Sequence, residues 1–263
     1  MERLRDNRIK IVFLGGGNVA THLAKALSQK CDIVNVWSRN IEHSKSLALQ
    51  LHDCVAVENI EDIVRDADIY IIATTDDSIA SVAKRMPSVE GVVVHTSGSV
   101  SLSALNECDS KRGTGVFYPL QTFSKNRHLD TLDIPLLIEG DNEQTAEELI
   151  NLGRLISDKV IVADSDKRRH IHLAAVFANN FTNFMWVMAS EYLEDKVGLD
   201  FKILEPLLKE TLQKAIDMNP RNAQTGPAAR GDKQTIEAHL KMLPQEVAET
   251  YKFLSEKIIA NNK

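Results

Sequence analysis

A glycine turn near the start of the chain constrains the fold more than any other feature. Residues 9–14 are an apolar stretch that runs directly into Gly15, Gly16, Gly17 and Asn18. A helical pattern then follows over residues 18–29, with its apolar residues on one face. Strand, glycine turn and helix in immediate succession are typical of the first unit of an open α/β sheet that binds a dinucleotide.

The spacing of Gly15, Gly17 and Ala20 matches the G-x-G-x-x-G/A pattern. Gly15 permits the tight turn, Gly17 lets a pyrophosphate approach the backbone, and Ala20 lets the helix pack closely on the strand. We therefore expect the pyrophosphate to lie over Gly17, Asn18 and Val19, where the helix N-terminus offers free N–H groups. The alternative is a tight turn in an α/β protein of another kind.

The end of the second predicted strand, residues 33–37, indicates which dinucleotide binds. An NAD site usually carries an acidic residue there for the ribose 2′-hydroxyl. This chain has Ser38, Arg39 and Asn40 instead. A guanidinium and a hydroxyl suit a 2′-phosphate, so these three residues favour NADP over NAD. The alternative for Arg39 is an ordinary solvated side chain in a loop.

The bulk composition is that of a globular protein, with 43% hydrophobic and 26% charged residues. The formal net charge is −6 and no basic cluster is present, which argues against nucleic acid or an anionic membrane as partner. Cys31, Cys54 and Cys108 lack C-x-x-C spacing and are expected to be reduced thiols, with no metal site. The charged opening MERLRDNR is not a signal peptide, so we expect a cytoplasmic protein. Residues 173–189 are predicted to be a buried helix rather than a membrane span.

Strand and helix patterns alternate up to about Ala163, and only helices follow. We predict a Rossmann-type α/β domain with a mainly parallel sheet over residues 1–164, followed by an all-α domain over 165–263. Asp200 and Asp232 are expected to be N-caps and Gly198 a helix stop. The predicted strands are 9–14, 33–37, 54–57, 69–73, 91–95, 115–118, 134–139 and 159–163. The predicted helices are 18–29, 41–50, 59–66, 78–85, 142–156, 166–197, 201–218, 233–242 and 245–260.

Small, hydrogen-bonding residues follow three neighbouring strands of the predicted sheet. In an open parallel sheet, ligands bind outside the carboxyl ends of the strands. We expect Thr74, Thr75 and Asp76 to contact the cofactor, and Ser97 and Tyr118 to lie near the substrate. The alternative is that these loops are polar only because loops generally are.

A polar stripe marks the first helix of the all-α half. On a 3.6-residue period, His172, Val176, Asn179 and Asn183 share one face of an otherwise apolar helix. Each unpaired buried amide would cost roughly 1–3 kcal/mol, so the stripe needs partners. A substrate cleft at the carboxyl edge of the sheet would supply them, and so would a subunit interface or backbone groups. The apolar load on residues 173–193 in addition predicts a homodimer built by the helical half.

The loop over residues 222–232 is rich in small residues and lies between two predicted helices. Gly226 and Gly231 permit close approach of another backbone or of a ligand. Arg230 is a candidate clamp for a substrate carboxylate, whereas Asp232 is equally explained as an N-cap.

The order of these motifs resembles one family, the Rossmann-like NADP oxidoreductases with a C-terminal helical domain of unknown function. The layout is more distantly similar to pyrroline-5-carboxylate reductase, ketopantoate reductase, and 6-phosphogluconate and 3-hydroxyacid dehydrogenases. The resemblance implies an NADP-binding fold whose helical domain covers the nicotinamide and often builds a dimer. It implies no particular substrate. The segments that carry it are GGGNVA, WSRN, TDDSIA, HTSGSV, VFYPLQTF, HLAAVFANNF and TGPAARGDKQTIEAHL.

One departure from the resembled hydroxyacid dehydrogenases bears on mechanism. Their lysine four residues before an asparagine is missing, since Ala175 and Val176 stand four residues before Asn179 and Asn180. We expect His172 to substitute as proton donor, because imidazole ordinarily titrates near neutral pH; the alternative is that the chemistry has been lost with the lysine.

The sequence therefore predicts an NADP-dependent oxidoreductase that acts on a small polar carbonyl, imine or hydroxyacid. His172 would donate the proton, Asn179 or Ser97 would orient the reacting group, and Tyr118, Asn183 and Arg230 would contact the substrate. The alternative is an NADP(H)-binding sensor or scaffold without turnover, which the missing lysine favours.

Overall fold

The computed structural model describes residues 8–125, 127 and 134–261, and its centre is an eight-stranded sheet. Residues 1–7, which make up most of the charged opening segment MERLRDNR, lie outside the described residues. All eight predicted strands are confirmed, with bounds shifted by one or two residues. The strands are β1 (Lys10–Leu14), β2 (Asp32–Trp37), β3 (Val55–Val57), β4 (Ile69–Ile72), β5 (Val92–His95), β6 (Thr114–Pro119), β7 (Leu136–Gly140) and β8 (Val160–Val162).

The strand order is β3-β2-β1-β4-β5-β6-β7-β8, which is a doubly wound arrangement. Every neighbouring pair is parallel except β6 and β7, which are antiparallel. The predicted Rossmann-type fold with a mainly parallel sheet is therefore confirmed. The carboxyl ends of β1, β4, β5 and β6 lie along one edge, where the predicted site residues begin.

The apolar strands are buried on both faces, as their continuous hydrophobic runs predict. Every residue of β4 and β5 is buried. Ile11 and Phe13 of β1 point into the apolar layer on one face, and Val12 and Leu14 point into the layer on the other. This closed core fixes the edge from which the glycine turn and the polar loops project.

Helices connect most of the strands, and the described residues after β8 are mainly helical. Asp200 and Asp232 accept backbone N–H bonds as predicted N-caps, and Gly198 ends a helix with φ of 69°. The helices are α1 (Asn18–Leu27), α2 (Ile41–Ala48), α3 (Ile79–Arg85), α4 (Glu143–Arg154), α5 (Ser165–Ala175), α6 (Thr182–Val197), α7 (Glu205–Met218), α8 (Pro220–Ala223), α9 (Pro227–Arg230), α10 (Lys233–Met242) and α11 (Gln245–Asn261).

The predicted helix over residues 59–66 is wrong, because only the short 3₁₀ turn Ile60–Asp62 forms there. Side chains of the sheet bind the backbone of this segment instead. The Asn35 Oδ1 accepts the Val64 N–H at 2.9 Å, and the Tyr70 hydroxyl donates to the Val64 carbonyl at 2.9 Å. These long-range bonds replace the intrahelical ones that a local pattern assumes.

The long helix predicted over residues 166–197 is interrupted by a π-helical segment, Val176–Phe181, between α5 and α6. Hydrogen bonds in a π segment run from residue i to i+5, so the 3.6-residue period does not continue through it. The regular period that would join His172 to Asn179 and Asn183 is therefore interrupted, and a shared face for the three residues stays a prediction.

The expectation that residues 173–189 are buried is also wrong for the single chain. Leu173 is 54% exposed, Phe184 57% and Trp186 41%. Periodicity locates an apolar face, but it does not show whether this chain supplies the surface that covers it.

Two compact units divide the chain, one ending at Asn179 and the next beginning at Asn180. Strands end at Val162 and α5 begins at Ser165, close to the predicted change from α/β to all-α. Helix α5 nevertheless belongs to the first compact unit, so the predicted domain boundary at 164 stays a prediction.

Candidate active site

The glycine turn after β1 requires glycine at its first position. Gly15 has φ of 134°, a conformation that side chains rarely adopt. A Cβ there would overlap the backbone carbonyl of Ala73, at the end of the neighbouring strand β4. The Gly15 N–H donates to the Trp37 carbonyl of β2 at 2.7 Å, so the turn is held against both neighbours of β1.

Gly17 differs from Gly15 because the space beside it is open. Its φ of −81° is accessible to any residue, and a Cβ built there would meet no atom within 4 Å. Gly17 is the N-cap of α1, and no side chain caps the helix. An uncapped helix N-terminus beside open space fits an incoming pyrophosphate, since the first N–H groups of a helix bind anions.

A loop that follows β6 crosses the first turns of α1. The Asn18 Nδ2 donates to the Phe123 carbonyl at 2.9 Å, and the His22 Nε2 lies 3.0 Å from the Ser124 carbonyl. The His22 and Phe123 rings stack with centroids 4.9 Å apart. The side chain of Asn18 thus holds this loop, which leaves its backbone N–H for the predicted phosphate contact. Sequence reasoning missed the contact, because it joins residues about a hundred positions apart.

The loop after β2 presents the three residues that predict NADP. Ser38 is half-buried, whereas Arg39 is exposed and forms no ion pair with any described residue. The Asn40 side chain accepts the Glu42 N–H at 3.0 Å and so caps α2. Arg39 and Ser38 are therefore available to a 2′-phosphate, while the side-chain oxygen of Asn40 already has a local role.

The loop after β4 contains a buried polar atom without a partner. The Thr74 Oγ1 makes no hydrogen bond within the described part of the chain. Such an orphaned hydroxyl is costly unless a ligand satisfies it. Thr75 bonds to Ser78 across the next turn, and the Asp76 carboxylate accepts the Ser99 hydroxyl at 2.5 Å. The predicted cofactor residues Thr74 and Asp76 thus lie beside the glycine turn and the loop after β5, respectively.

The hydroxyl of Ser97 organises its own loop. Its Oγ accepts the N–H groups of Ser99 and Val100, each at 3.1 Å, and the residue is only 6% exposed. Ser97 therefore shapes the turn after β5, and its predicted role in orienting a substrate stays a prediction.

Gly98 lies where Tyr118 and His172 meet. The Tyr118 hydroxyl is 3.0 Å from the His172 Nδ1, and the two rings pack edge to face. A Cβ on Gly98 would come within 2.6 Å of the His172 Nδ1 and 2.7 Å of the Tyr118 Cζ. Only glycine leaves room for this pair, which explains the glycine of the HTSGSV motif. His172 thus reaches the loop after β5, as the sequence predicted.

The Tyr118 phenol keeps its proton at neutral pH. Burial raises its pKa, the Asp76 carboxylate raises it further, and the Arg168 guanidinium opposes both. Depending on the histidine tautomer, the phenol O–H donates a hydrogen bond to the His172 Nδ1, or the phenol oxygen accepts one from the Nδ1–H. In the second arrangement, the phenolic proton is free to be donated to a ligand.

The other histidine at this edge has a structural role. His95 is fully buried, and burial together with the Arg168 charge lowers its pKa to about 4. Its Nδ1 accepts the Ser97 N–H at 3.2 Å. His95 is therefore neutral at physiological pH, and its hydrogen bond to Ser97 holds the loop that follows β5.

The remaining predicted residues are exposed. Asn179 lies in the π segment at the end of the first unit, and Asn183 and Arg230 belong to the second. Their predicted roles stay predictions. Asp232 accepts the Thr235 N–H at 3.0 Å, as the N-cap interpretation requires.

The three cysteines are unpaired, and burial raises the pKa of each thiol to about 11. Among the residues that the structure describes, no group of three His, Cys, Asp or Glu side chains is placed to hold a metal ion. The described helices include none with the length and apolarity needed to cross a membrane.

Two family models match consecutive parts of the chain. Residues 10–97 match the family described as NADP oxidoreductase coenzyme F420-dependent. Residues 134–258 match a domain of unknown function, DUF2520. The first match covers the glycine turn and the strands around it, and the second covers the region that carries His172 and Arg230.

Solved structures share the architecture over nearly the whole chain. One of them is a Bacteroides fragilis protein that is assigned as an NADP oxidoreductase without a stated activity. It is 36% identical to this chain, the TM-score is 0.87, and the match covers 96% of this chain and 98% of that one. A reductive aminase from Aspergillus terreus in complex with NADPH and ethyl-5-oxohexanoate is 14% identical with a TM-score of 0.68, covering 96% and 94%. A 1-pyrroline-5-carboxylate reductase from Streptococcus pyogenes is 16% identical with a TM-score of 0.62, covering 97% and 98%. The last two likenesses concern the fold alone.

Curated relatives are matched over only part of their length. A glycerol-3-phosphate dehydrogenase [NAD(P)+] from Clostridium botulinum is 25% identical over 54% of this chain and 49% of its own. A glutamyl-tRNA reductase from Thermoplasma volcanium is 24% identical over 64% of this chain and 36% of its own. The chain thus spans half or less of these relatives.

Proposed function

Because the chain belongs to the NADP oxidoreductase family of the Bacteroides fragilis protein, we propose that it transfers hydride between NADP(H) and a small polar carbonyl, imine or hydroxyacid. The observation that carries this proposal is the Tyr118–His172 hydrogen bond beside Gly98. It is a proton-donating pair at the sheet edge that also carries the glycine turn. A reductase needs both a dinucleotide site and a proton donor.

The residues around the glycine turn fit NADPH. Backbone N–H groups at Asn18 and Val19 would hold the pyrophosphate, and Ser38 and Arg39 would hold the 2′-phosphate. Thr74 offers the otherwise unsatisfied hydroxyl at this edge. The bound cofactor supplies the hydride, and the protein contributes orientation and the proton.

The Tyr118–His172 pair would deliver the proton. A phenol is protonated at neutral pH, and the environment of Tyr118 raises its pKa further. With its hydrogen on Nδ1, the imidazole would replenish the donated proton. Ser97 and Asn179 are the candidates to orient the reacting group, and Asn183 and Arg230 to bind the substrate, with Arg230 on a carboxylate. Cyclic imines belong in the substrate panel beside carbonyl compounds, because a protonated C=N group accepts hydride as a C=O group does.

We also propose that the protein acts as a homodimer in the cytoplasm. Helix α6 exposes large apolar side chains, Phe184 and Trp186 among them, and a second copy is the commonest partner for such a face. Three unpaired cysteines suit a reducing compartment.

The test is an NADPH oxidation assay with a panel of small ketoacids, semialdehydes and cyclic imines, in which the loss of NADPH absorbance is measured for each compound. For the best substrate, Tyr118→Phe and His172→Gln should each lower kcat by about 100-fold or more. His52→Gln is the matched control, since His52 is 93% exposed and, within the described part of the chain, pairs only with Asp53. Tight NADPH binding with no turnover across the panel would instead favour the sensor interpretation.

A further inference from the structure

One face of α5 is fastened to the loop that follows β5. Ser165, Arg168 and His172 are spaced at i, i+3 and i+7, which places them on the same side of the helix. The Ser165 Oγ accepts the Leu102 N–H at 3.0 Å, and the Arg168 Nη2 donates to the Val100 carbonyl at 2.6 Å. His172 continues this face one turn later, where it meets Gly98 of the same loop.

Arg168 is a buried cation with a dedicated counterion. Its side chain is 0% exposed, and its Nη1 forms an ion pair with the Glu139 carboxylate of β7. The Ser165 hydroxyl donates to the same carboxylate at 2.8 Å. A fully buried guanidinium is expensive to desolvate, and a buried ion pair is weak evidence for a gain in stability.

The register of the sheet aligns this ion pair with the Tyr118–His172 pair. Strands β6 and β7 are antiparallel, with Val116 opposite Glu139 and Tyr118 opposite Leu137. Directly opposite residues point to the same face of a sheet, so Glu139 and Tyr118 share a face. Two neighbouring strands thus offer one anchor each to the same helix, and the anchored residues Arg168 and His172 are one turn apart.

We propose that Arg168 is a positioning residue: its guanidinium joins α5 to β7 and to the Val100 carbonyl, and so seats the His172 ring against Tyr118. The placement of the His172 ring by Arg168 is argued from contacts within the first unit alone. The effect of that placement on turnover rests on the proposed function. The planar fork of arginine is what allows one side chain to reach a carboxylate and a carbonyl together, which lysine does not match.

The experiment compares Arg168→Lys with Arg169→Lys. Arg169 is the neighbouring residue on the same helix, is 53% exposed and, among the described residues, forms an ion pair only with Asp166 one turn earlier. Both substitutions keep the charge. The first removes the fork and the second serves as a matched control. The readouts are the ¹⁵N and ¹³C signals of the His172 ring, assigned by their loss in His172→Gln, then NADPH affinity, and kcat and KM.

We expect Arg168→Lys to change the His172 ring signals towards those of Tyr118→Phe, because both variants lose the same hydrogen bond. NADPH affinity should stay unchanged, since the glycine turn lies on other strands. With a substrate from the panel, kcat should fall about 100-fold with KM nearly unchanged, the effect of misplacing a reacting group. Arg169→Lys should leave every readout unchanged.

Unchanged His172 signals in a folded Arg168→Lys protein would overturn the proposal, even if kcat fell. Should that variant fail to fold, Glu139→Gln replaces it, because the amide keeps the shape and removes only the charge that holds Arg168. The same change in the His172 ring is then expected, and its absence would count against the proposal. A wild-type protein without turnover refutes the proposed function but leaves the spectroscopic result decisive.

Discussion

The two compact units use apolar residues in opposite ways. In the first unit, the central strands bury their side chains on both faces of the sheet, and β4 and β5 are buried throughout. In the second unit, only Ala228 and Ile236 among the described apolar residues are buried. Phe184, Ile216 and other large apolar side chains there are more than half exposed. The first unit closes its own core, whereas the second leaves most of its apolar surface for something else to cover.

This difference shows what an apolar pattern can predict. A run of β-branched residues in a parallel sheet is buried by the helices that the same chain supplies. An amphipathic helix indicates only that its apolar side needs a surface to pack against. The covering surface need not belong to the same chain, and in the helical half the described residues do not supply it.

The largest effect is expected from substitutions in the glycine turn. Gly15→Val should lower the free energy of unfolding by roughly 3 to 5 kcal/mol, because it combines a positive φ with backbone overlap. Gly17→Val should change it by only about 1 kcal/mol, because its Cβ enters open space. Urea unfolding and NADPH titration of both variants measure the two effects.

Gly17→Val should nevertheless abolish NADPH binding, since its branched side chain occupies the space where the pyrophosphate is expected. The two variants therefore separate folding from binding within one turn. Normal NADPH binding by Gly17→Val would show that the cofactor lies elsewhere, and a stable Gly15→Val protein would contradict the geometry of the turn.

The next effect tests the helical unit. Phe184 is 57% exposed on α6, and we expect the wild type to be a dimer by light scattering at micromolar concentration. Phe184→Asp should weaken dimerisation by at least about 100-fold. In a symmetric dimer both subunits carry the substitution, so two new charges would be buried in the interface.

Leu49→Asp is the matched control, since Leu49 is 87% exposed at the end of α2 in the first unit. It should leave the oligomeric state unchanged. A monomeric wild type would refute the homodimer and end the explanation given for the exposed face.

The sequence predicted the sheet well because its signals are local. All eight strands, the glycine turn and the caps at Asp200 and Asp232 depend on residues close to one another in the chain. The predicted helix over residues 59–66 failed because Asn35 and Tyr70, distant in sequence or on another element, bind its backbone.

The candidate site was predicted in part for the same reason. The strand ends that carry Ser97 and Tyr118 follow from topology, and His172 follows from the helix that begins directly after β8. The Arg168–Glu139 pair was missed, because a lysine- and arginine-rich first turn gives no local sign that one cation is buried. The π segment, Val176–Phe181, was missed because its sequence is compatible with an α-helix.

The smallest of these effects concerns cofactor selectivity, and it tests whether that property resides in the first unit alone. Arg39 is exposed after β2 and has no ion-pair partner among the described residues, so its charge is free for a 2′-phosphate. Losing one charge-assisted contact is worth about 2 kcal/mol, so Arg39→Ala should weaken NADPH binding roughly 30-fold and NADH binding hardly at all. Parallel fluorescence titrations with both nucleotides measure the ratio of the NADPH and NADH affinities.

Arg85→Ala is a suitable control, since Arg85 stacks over Trp37 at the end of the same strand. Its loss should change the two affinities by the same factor. Equal weakening for the two nucleotides in Arg39→Ala would mean that another group reads the 2′-phosphate, and that selectivity does not come from this loop.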